Sequence, residues 1–348
     1  MRRRTLAAPP PDPFGERRGP SWRLRLRLLG GRFDFETDSA RLLRIVRQAY
    51  AGLPPHRLSA VPPRLQVRLV LTPPERTRPP GGAGYEPPPV RAAAAGGILC
   101  GAMERAGFVT LASQQRAALI VVSQDLLRYA YHIRYELLEF AVYILAARVQ
   151  GLVPLHAACV GRGGNGILLL GPSGAGKSTL VLHCLLAGLD FLAEDSVLVR
   201  PRGLLATGVA NYLHLRPESL RFLDKADRSV VVRDSCVIRR RSGVEKLEID
   251  LRRTPYHLAA APLRIRAVVF LSRARARGRR LLAPLRPSVA LKKLAATQRY
   301  AAHQPGWTAF RRGLAGLPAY ELHRGAHPRE CVEAVRELLA GAAGARPG

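Results

Sequence analysis

Residues 166–199 read GILLLGPSGAGKSTLVLHCLLAGLDFLAEDSVLV, and this stretch decides how the chain is organised. An apolar run, Ile167–Leu170, leads into Gly171-Pro172-Ser173-Gly174-Ala175-Gly176-Lys177-Ser178-Thr179, which satisfies G-x-x-x-x-G-K-[ST] in full. The residues from Lys177 to Ala187 read as a helix stopped by Gly188. A strand, a glycine turn and a helix form the context in which such a loop holds a polyphosphate. The glycines let the backbone wrap with its N–H groups pointing inward, and the positive end of the helix adds to them. Lys177 then reaches the β and γ oxygens as a point charge, and Ser178 offers its hydroxyl to Mg²⁺.

Asp195, the second member of an acidic pair with Glu194, follows Lys177 by only eighteen residues. The intervening helix climbs about 17 Å away from the phosphates. Asp190–Leu192 gives a short way back, so Glu194-Asp195 is expected to return beside the loop. Two carboxylates there have two tasks. One orders Mg²⁺ through oxygen ligation, and the other accepts the proton of an attacking hydroxyl. The expected split makes Asp195 a metal ligand with Ser178, and Glu194 the base. The plain alternative is a solvated strand end that caps a turn. His156, in Pro154-Leu155-His156-Ala157, either approaches the phosphate end or is a satisfied core histidine.

Working outward, VPLHAACV (153–160) reads as a strand, and the glycine-rich link 161–166 joins it to 167–170 as an antiparallel hairpin. Further strands are expected at 190–199, 229–238, 246–250 and 264–271, and helices at 287–301 and 328–340. On the amino-terminal side, strands are expected at 22–29, 65–71, 97–99 and 118–122. Helices are expected at 39–51 and, as one long element, at 124–150, with a Pro- and Gly-rich loop at 72–89. The Pro- and Arg-rich residues 1–20 and the tail 342–348 are expected to be disordered. The resulting plan is a small α+β domain over 21–150, a candidate for acceptor recognition, followed by a nucleotide domain over 151–341.

The chain has 348 residues, 47% of them apolar, enough for sizeable cores. No apolar run reaches the ~18 residues of a membrane span, and the amino terminus lacks the apolar stretch of a secretion signal, so a cytoplasmic location is expected. Five cysteines (Cys100, Cys159, Cys184, Cys236, Cys331) are scattered without a CxxC, which argues against both a disulfide framework and a zinc site. The net charge is +30, carried by fifty arginines and only five lysines. The arginines are dispersed rather than banded, which disfavours a nucleic-acid groove. Where such a chain keeps a lysine, a compact ammonium is needed, as at Lys177.

LHAACV, GPSGAGKST and FLAEDSVLV, in that order, resemble the HPr kinase/phosphorylase group and its relatives. VANYLHLRPESLRFL, AVVFLSRARARGRRLLAPLRPSVALKKLA and LPAYELHRG…ECVEAVRELL resemble HPr-kinase-related proteins found beside peptide-modification genes, some of which phosphorylate a lasso-peptide precursor. The resemblance covers roughly 150–340. It implies a P-loop core like the nucleotide domain of phosphoenolpyruvate carboxykinase, with a partly antiparallel sheet. It also implies ATP and Mg²⁺ as cofactors and a serine hydroxyl of a peptide or small protein as acceptor. His156 aligns with the family's histidine before the loop, and Glu194 and Asp195 with its paired aspartates. The chain departs from the family in its Glu at 194 and in lacking the glycine-rich signature after the acidic pair. The resemblance therefore does not extend to HPr as acceptor, to the reverse phosphorylase activity or to a hexamer; an oligomer is left open. Arg216 is the arginine best placed by motif for the transferring phosphoryl group, with a solvated or peptide-binding role as the alternative, and Trp307 and Phe310 read as core, with the lining of a peptide groove as theirs. Two rival readings stand beside the serine kinase: a regulatory nucleotide-binding module that binds nucleic acid, and a small-molecule kinase.

Overall fold

The computed structural model describes residues 21–74, 86–233, 235–276, 278 and 280–344, with the backbone alone for 342–344. The chain is α/β with mixed sheets. The expected tail 1–20, most of the proline-rich loop and residues 345–348 lie outside the described residues. The last helix runs to Gly344, three residues into the stretch expected to be a tail.

The amino-terminal unit is a seven-stranded sheet, ordered β1-β2-β3-β7-β6-β5-β4. Its strands are β1 (Trp22–Leu28), β2 (Gly31–Thr37), β3 (Arg64–Thr72), β4 (Arg91–Ala95), β5 (Ile98–Met103), β6 (Gly107–Ala112) and β7 (Ala117–Ser123). Helix α1 (Ala40–Tyr50) opens at Ser39, whose hydroxyl accepts from the Leu42 N–H, and buries Leu42, Val46 and Ala49 against the sheet. The expected single helix over 124–150 is irregular and is broken at Tyr129, whose φ of −108° and ψ of 51° are not helical. A 3₁₀ segment (Gln124–Tyr129), α2 (Ala130–His132), a π-helical turn (Ile133–Leu138) and α3 (Glu139–Gln150) succeed one another. Gly151, in the left-handed conformation (φ +62°), ends it.

The carboxy-terminal unit is built on a nine-stranded sheet. Its main path runs β11-β9-β10-β17-β13-β12-β8, and β19 and β18 branch from β17. The strands are β8 (Val153–Leu155), β9 (Ala158–Arg162), β10 (Asn165–Leu170), β11 (Asp190–Ala193), β12 (Val197–Arg200) and β13 (Leu205–Gly208). β17 (Leu263–Arg275), β18 (Leu282–Leu285) and β19 (Ala319–Arg324) complete it. A three-stranded antiparallel sheet, β14 (Tyr212–Leu215), β16 (Glu245–Asp250) and β15 (Ser235–Arg239), lies beside it. Helices α4 (Lys177–Leu186) and α9 (Pro328–Gly344) cover one face of the large sheet. α6 (Pro287–Thr297), α7 (Arg299–Ala302) and α8 (Trp307–Ala315) cover the other. Trp307 and Phe310 are buried in that second layer.

Three expected strands are broken or replaced. VPLHAACV divides at His156, where β8 leaves to pair with β12 while β9 pairs with β10. Residues 190–199 divide at Glu194-Asp195-Ser196. Residues 225–233 form helix α5 in place of the first part of a strand, because the Asp224 carboxylate caps the Asp227 N–H at 2.9 Å and overrides the β-branched run 230–232. The β9–β10 hairpin forms as expected, through Gly163 and Gly164 at φ +57° and +78°.

This topology explains the short spacing to the acidic pair. β10 and β11 both run antiparallel to β9, so they point the same way. Ala193 sits opposite Cys159, which sits opposite Leu168. The chain therefore leaves β11 at the same edge of the sheet where β10 enters the glycine-rich loop. Gly208 makes room for this exit: a Cβ there would lie 2.6 Å from the Ala193 Cβ and 2.7 Å from the Leu192 carbonyl oxygen. Gly208→Ala is expected to destabilise the protein by about 1–3 kcal/mol, as overpacking against backbone does. Denaturant titration measures this, and an unchanged midpoint would remove Gly208 from the constraint.

Candidate functional site

The glycine-rich loop has the conformation its sequence requires. Gly174 (φ +76°) and Gly176 (φ +99°) occupy the left-handed region, where a side chain is strained, and Gly176 caps α4. Arg273, from β17, donates to the Ser173 carbonyl, and Arg324, from β19, donates to the Gly174 carbonyl at 2.8 Å. Two carbonyls of the loop are thus held by arginine, and the first residues of α4 line the cleft. The buried Lys177 lays its Nζ 2.8 Å from the Gly171 carbonyl. Its pKa is lowered by burial, opposed by the charges of Asp195 and Glu194.

The cleft above the loop has a volume of ≈ 710 Å³. His156, residues 172–180, Asp195, Arg216, Ser219, Arg240, Lys246 and Arg324 are among the residues that line it. Six cations, Lys177, Arg216, Arg221, Arg240, Lys246 and Arg324, face two carboxylates, Asp195 and Glu218. The size suits a nucleotide and the charge suits its phosphates. The loop, the ammonium and the oxygen donors at Ser178 and Asp195 fit Mg²⁺–nucleotide chemistry.

The two acids have opposite environments. Glu194 is buried, at 4% exposure. One of its oxygens accepts from the Ser178 hydroxyl, and the other accepts from the His214 N–H at 2.8 Å. The His214 ring places Nδ1 3.3 Å from the same oxygen and Nε2 3.1 Å from Glu248. Glu248 in turn accepts from Arg134 at 2.6 and 2.8 Å and from the Tyr135 hydroxyl at 2.8 Å. Asp195 instead lines the cleft, with a carboxylate oxygen 3.4 Å from Arg240. Its backbone carbonyl lies 3.1 Å from Nδ1 of His156. His156 itself is exposed, and the buried Gln298 holds its backbone on both sides, at 2.8 and 3.1 Å. The loop 171–179, Lys177, Asp195 and His156 therefore meet in one cleft, while Glu194 reaches it only through Ser178.

Sequence reasoning missed Lys246, Arg240, His214, Glu248, Arg134 and Tyr135. The scarcity of lysine was a usable signal, because two of the five lysines line this cleft. The buried partners carry no local signal: 20 residues separate Glu194 from His214, and 114 separate Arg134 from Glu248.

Burial alone would raise the pKa of Glu194, but the hydrogen bonds and charge of His214, with Lys246 and Ser178, hold its carboxyl well below the usual range. For Glu248 burial is again outweighed, by the bond from His214 and the Arg134 guanidinium, and the pKa falls to about 2 from 4.5. His214 moves the other way: burial lowers its pKa, yet Glu194 and Glu248 raise it above 6.5. The carboxylates thus contribute stability that is present above about pH 4.5 and lost toward pH 2. The His214 contribution is present below about pH 6.5 and lost as pH rises through its raised value. The stability gap between wild type and Glu248→Gln is expected to narrow as pH falls from about 4.5 to about 2. Urea titrations at stepped pH check this, and a constant gap would mean that folding does not shift the Glu248 pKa.

No family model matches the chain, and no curated protein matches it. Among solved structures it is similar to the Hpr(Ser) kinase/phosphatase from Coxiella burnetii, with 14% identity and a TM-score of 0.30, over 55% of this chain and 99% of that chain. At that identity and TM-score the likeness carries no argument about function.

Proposed function

We propose that the protein is an ATP-dependent kinase that transfers the γ-phosphoryl group to a serine hydroxyl of a peptide or small protein. A ribosomally made, lasso-type precursor peptide is one acceptor of this class. The observation that carries the reading is the pairing of Ser178 with buried Glu194 at the foot of the glycine-rich loop, while Asp195 faces the same cleft as Lys177. The proposal includes the nucleotide domain of the phosphoenolpyruvate-carboxykinase type. The mixed sheet and the acids that follow the first loop helix directly support it.

In this mechanism the loop amides, Lys177 and the start of α4 hold the triphosphate. Ser178 would hold Mg²⁺, which would supply positive charge against the triphosphate. Glu194 accepts a hydrogen bond from the Ser178 hydroxyl, which would leave a lone pair of that oxygen free for the metal. The roles expected for the two acids are therefore exchanged. Asp195, the acid open to the cleft, is the base, and Glu194 orients Ser178. The acceptor oxygen forms a bond to the γ-phosphorus as the bond to the β-bridging oxygen breaks. The hydroxyl proton passes to Asp195, and ADP leaves. Arg240 and Lys246 face the transferring group and stabilise its charge. His156, bonded to the Asp195 backbone, keeps that residue at the edge of the cleft.

Incubation with γ-labelled ATP and serine-containing peptides, including precursors encoded beside the gene, is expected to label a serine. ATP binding without label in any peptide or protein would overturn the kinase reading. Lys177→Ala is expected to lower transfer by about 100-fold or more, since the phosphate clamp is an electrostatic term. Asp195→Asn is expected to lower kcat by about 10²–10⁴-fold with nucleotide affinity retained. Glu194→Gln, by contrast, is expected to act on the magnesium requirement. Steady-state kinetics at varied Mg²⁺ separates these outcomes.

A further inference from the structure

One buried line of charge runs from the glycine-rich loop into the amino-terminal unit. It passes from the Ser178 hydroxyl to Glu194, to His214 on β14, to Glu248 on β16, and ends at Arg134. Arg134 belongs to the π-helical turn Ile133–Leu138, packed under the seven-stranded sheet through Ile133, Leu137 and Leu138. Its side chain is 5% exposed and that of Glu248 3%. The guanidinium lies 4.8 Å from the Tyr135 ring centroid and 4.4 Å from that of Tyr212. One of its nitrogens bonds both oxygens of Glu248, and Tyr135 bonds the same carboxylate. A widened helical turn thus lets two successive residues reach one carboxylate.

We infer that Arg134 is a positioning residue for the nucleotide site: through Glu248 and His214 it sets the orientation of Glu194 and of the Ser178 hydroxyl. The inference rests on the nucleotide reading above and goes beyond it, because it makes the amino-terminal unit part of the phosphate site. A buried ion pair is a poor way to join two units, since apolar residues of similar volume stabilise as well or better. What the charged line does, and an apolar seam does not, is fix the direction of a proton donor at its far end. Each carboxylate on the line is bonded on both sides, so a shift of Arg134 is passed on to Ser178 instead of being absorbed by solvent.

The test uses the full chain and a fluorescent ATP analogue, titrated with and without Mg²⁺. Arg134→Met leaves Glu248 buried without its guanidinium, and Arg134→Met/Glu248→Met removes both charges, which is expected to return stability. A merely structural Arg134 would give a double variant with wild-type affinity. A positioning Arg134 gives Mg²⁺-dependent affinity about 10–100-fold weaker in the double variant, with Mg²⁺-independent affinity unchanged and partial recovery in Arg134→Lys. Hydrogen exchange on the free protein provides a readout without nucleotide. The His214 amide and residues 177–182 are expected to exchange faster in the double variant, while β5 and β6 do not. Wild-type affinity, or unchanged exchange at His214, in a folded double variant overturns the inference. If the wild type itself binds no nucleotide, the nucleotide reading fails and the exchange result alone decides the inference.

Discussion

A carboxylate taken out of water is tolerated only when its oxygens are hydrogen-bonded. Glu194 meets that condition with one oxygen on the Ser178 hydroxyl and the other on the His214 amide. Much of the molecule follows from this requirement. β11 has to end level with the glycine-rich loop, β14 has to present an amide to the same point, and Gly208 has to carry no side chain. The histidine that shares the burial needs its own counter-charge, which brings Glu248 and then Arg134 into the interior.

The two sheet units are joined by polar bonds as well as by packing. His56 bonds Thr207 and the Ala259 carbonyl, both at 2.8 Å, and Asn211 donates to the Ala49 carbonyl at 2.8 Å. Leu198 and Val209 belong to the same apolar cluster as the amino-terminal sheet. Across this seam the buried ions end on the Ser178 hydroxyl of the glycine-rich loop. The amino-terminal unit, which the sequence made a candidate for acceptor recognition, touches the electrostatics of the loop through Arg134 and Glu248. The excess of arginine has a local use here: Arg273 and Arg324 hold the loop carbonyls while Lys177 and Lys246 face the cleft.

Local signals were legible. The strand, loop and helix around 167–187, the hairpin closed by Gly163-Gly164 and the capped helix from Ala40 all depend on residues a few positions apart. Where the sequence reading failed, a distant partner or a cap decided. VPLHAACV alternates well enough for one strand, but β12 draws off its first half and Gln298 holds the break. The run 230–232 favours a strand until Asp224 caps it as a helix. β13, β18 and β19 are four to six residues long and carry too little periodicity to be read alone.

From sequence alone came the phosphate-loop motif, the close return of two acids and the candidate histidine, because each is encoded by residue types at short spacing. Tertiary structure decided which acid is buried and which faces the cleft. Glu194 and Asp195 lie in the bend that follows β11, where no strand alternation orients them, and only the fold says which of them meets Ser178 and which meets the cleft. It also decided that Arg134 lies at the end of the line, because an ion 114 residues from its partner is placed by packing and leaves no trace in local pattern.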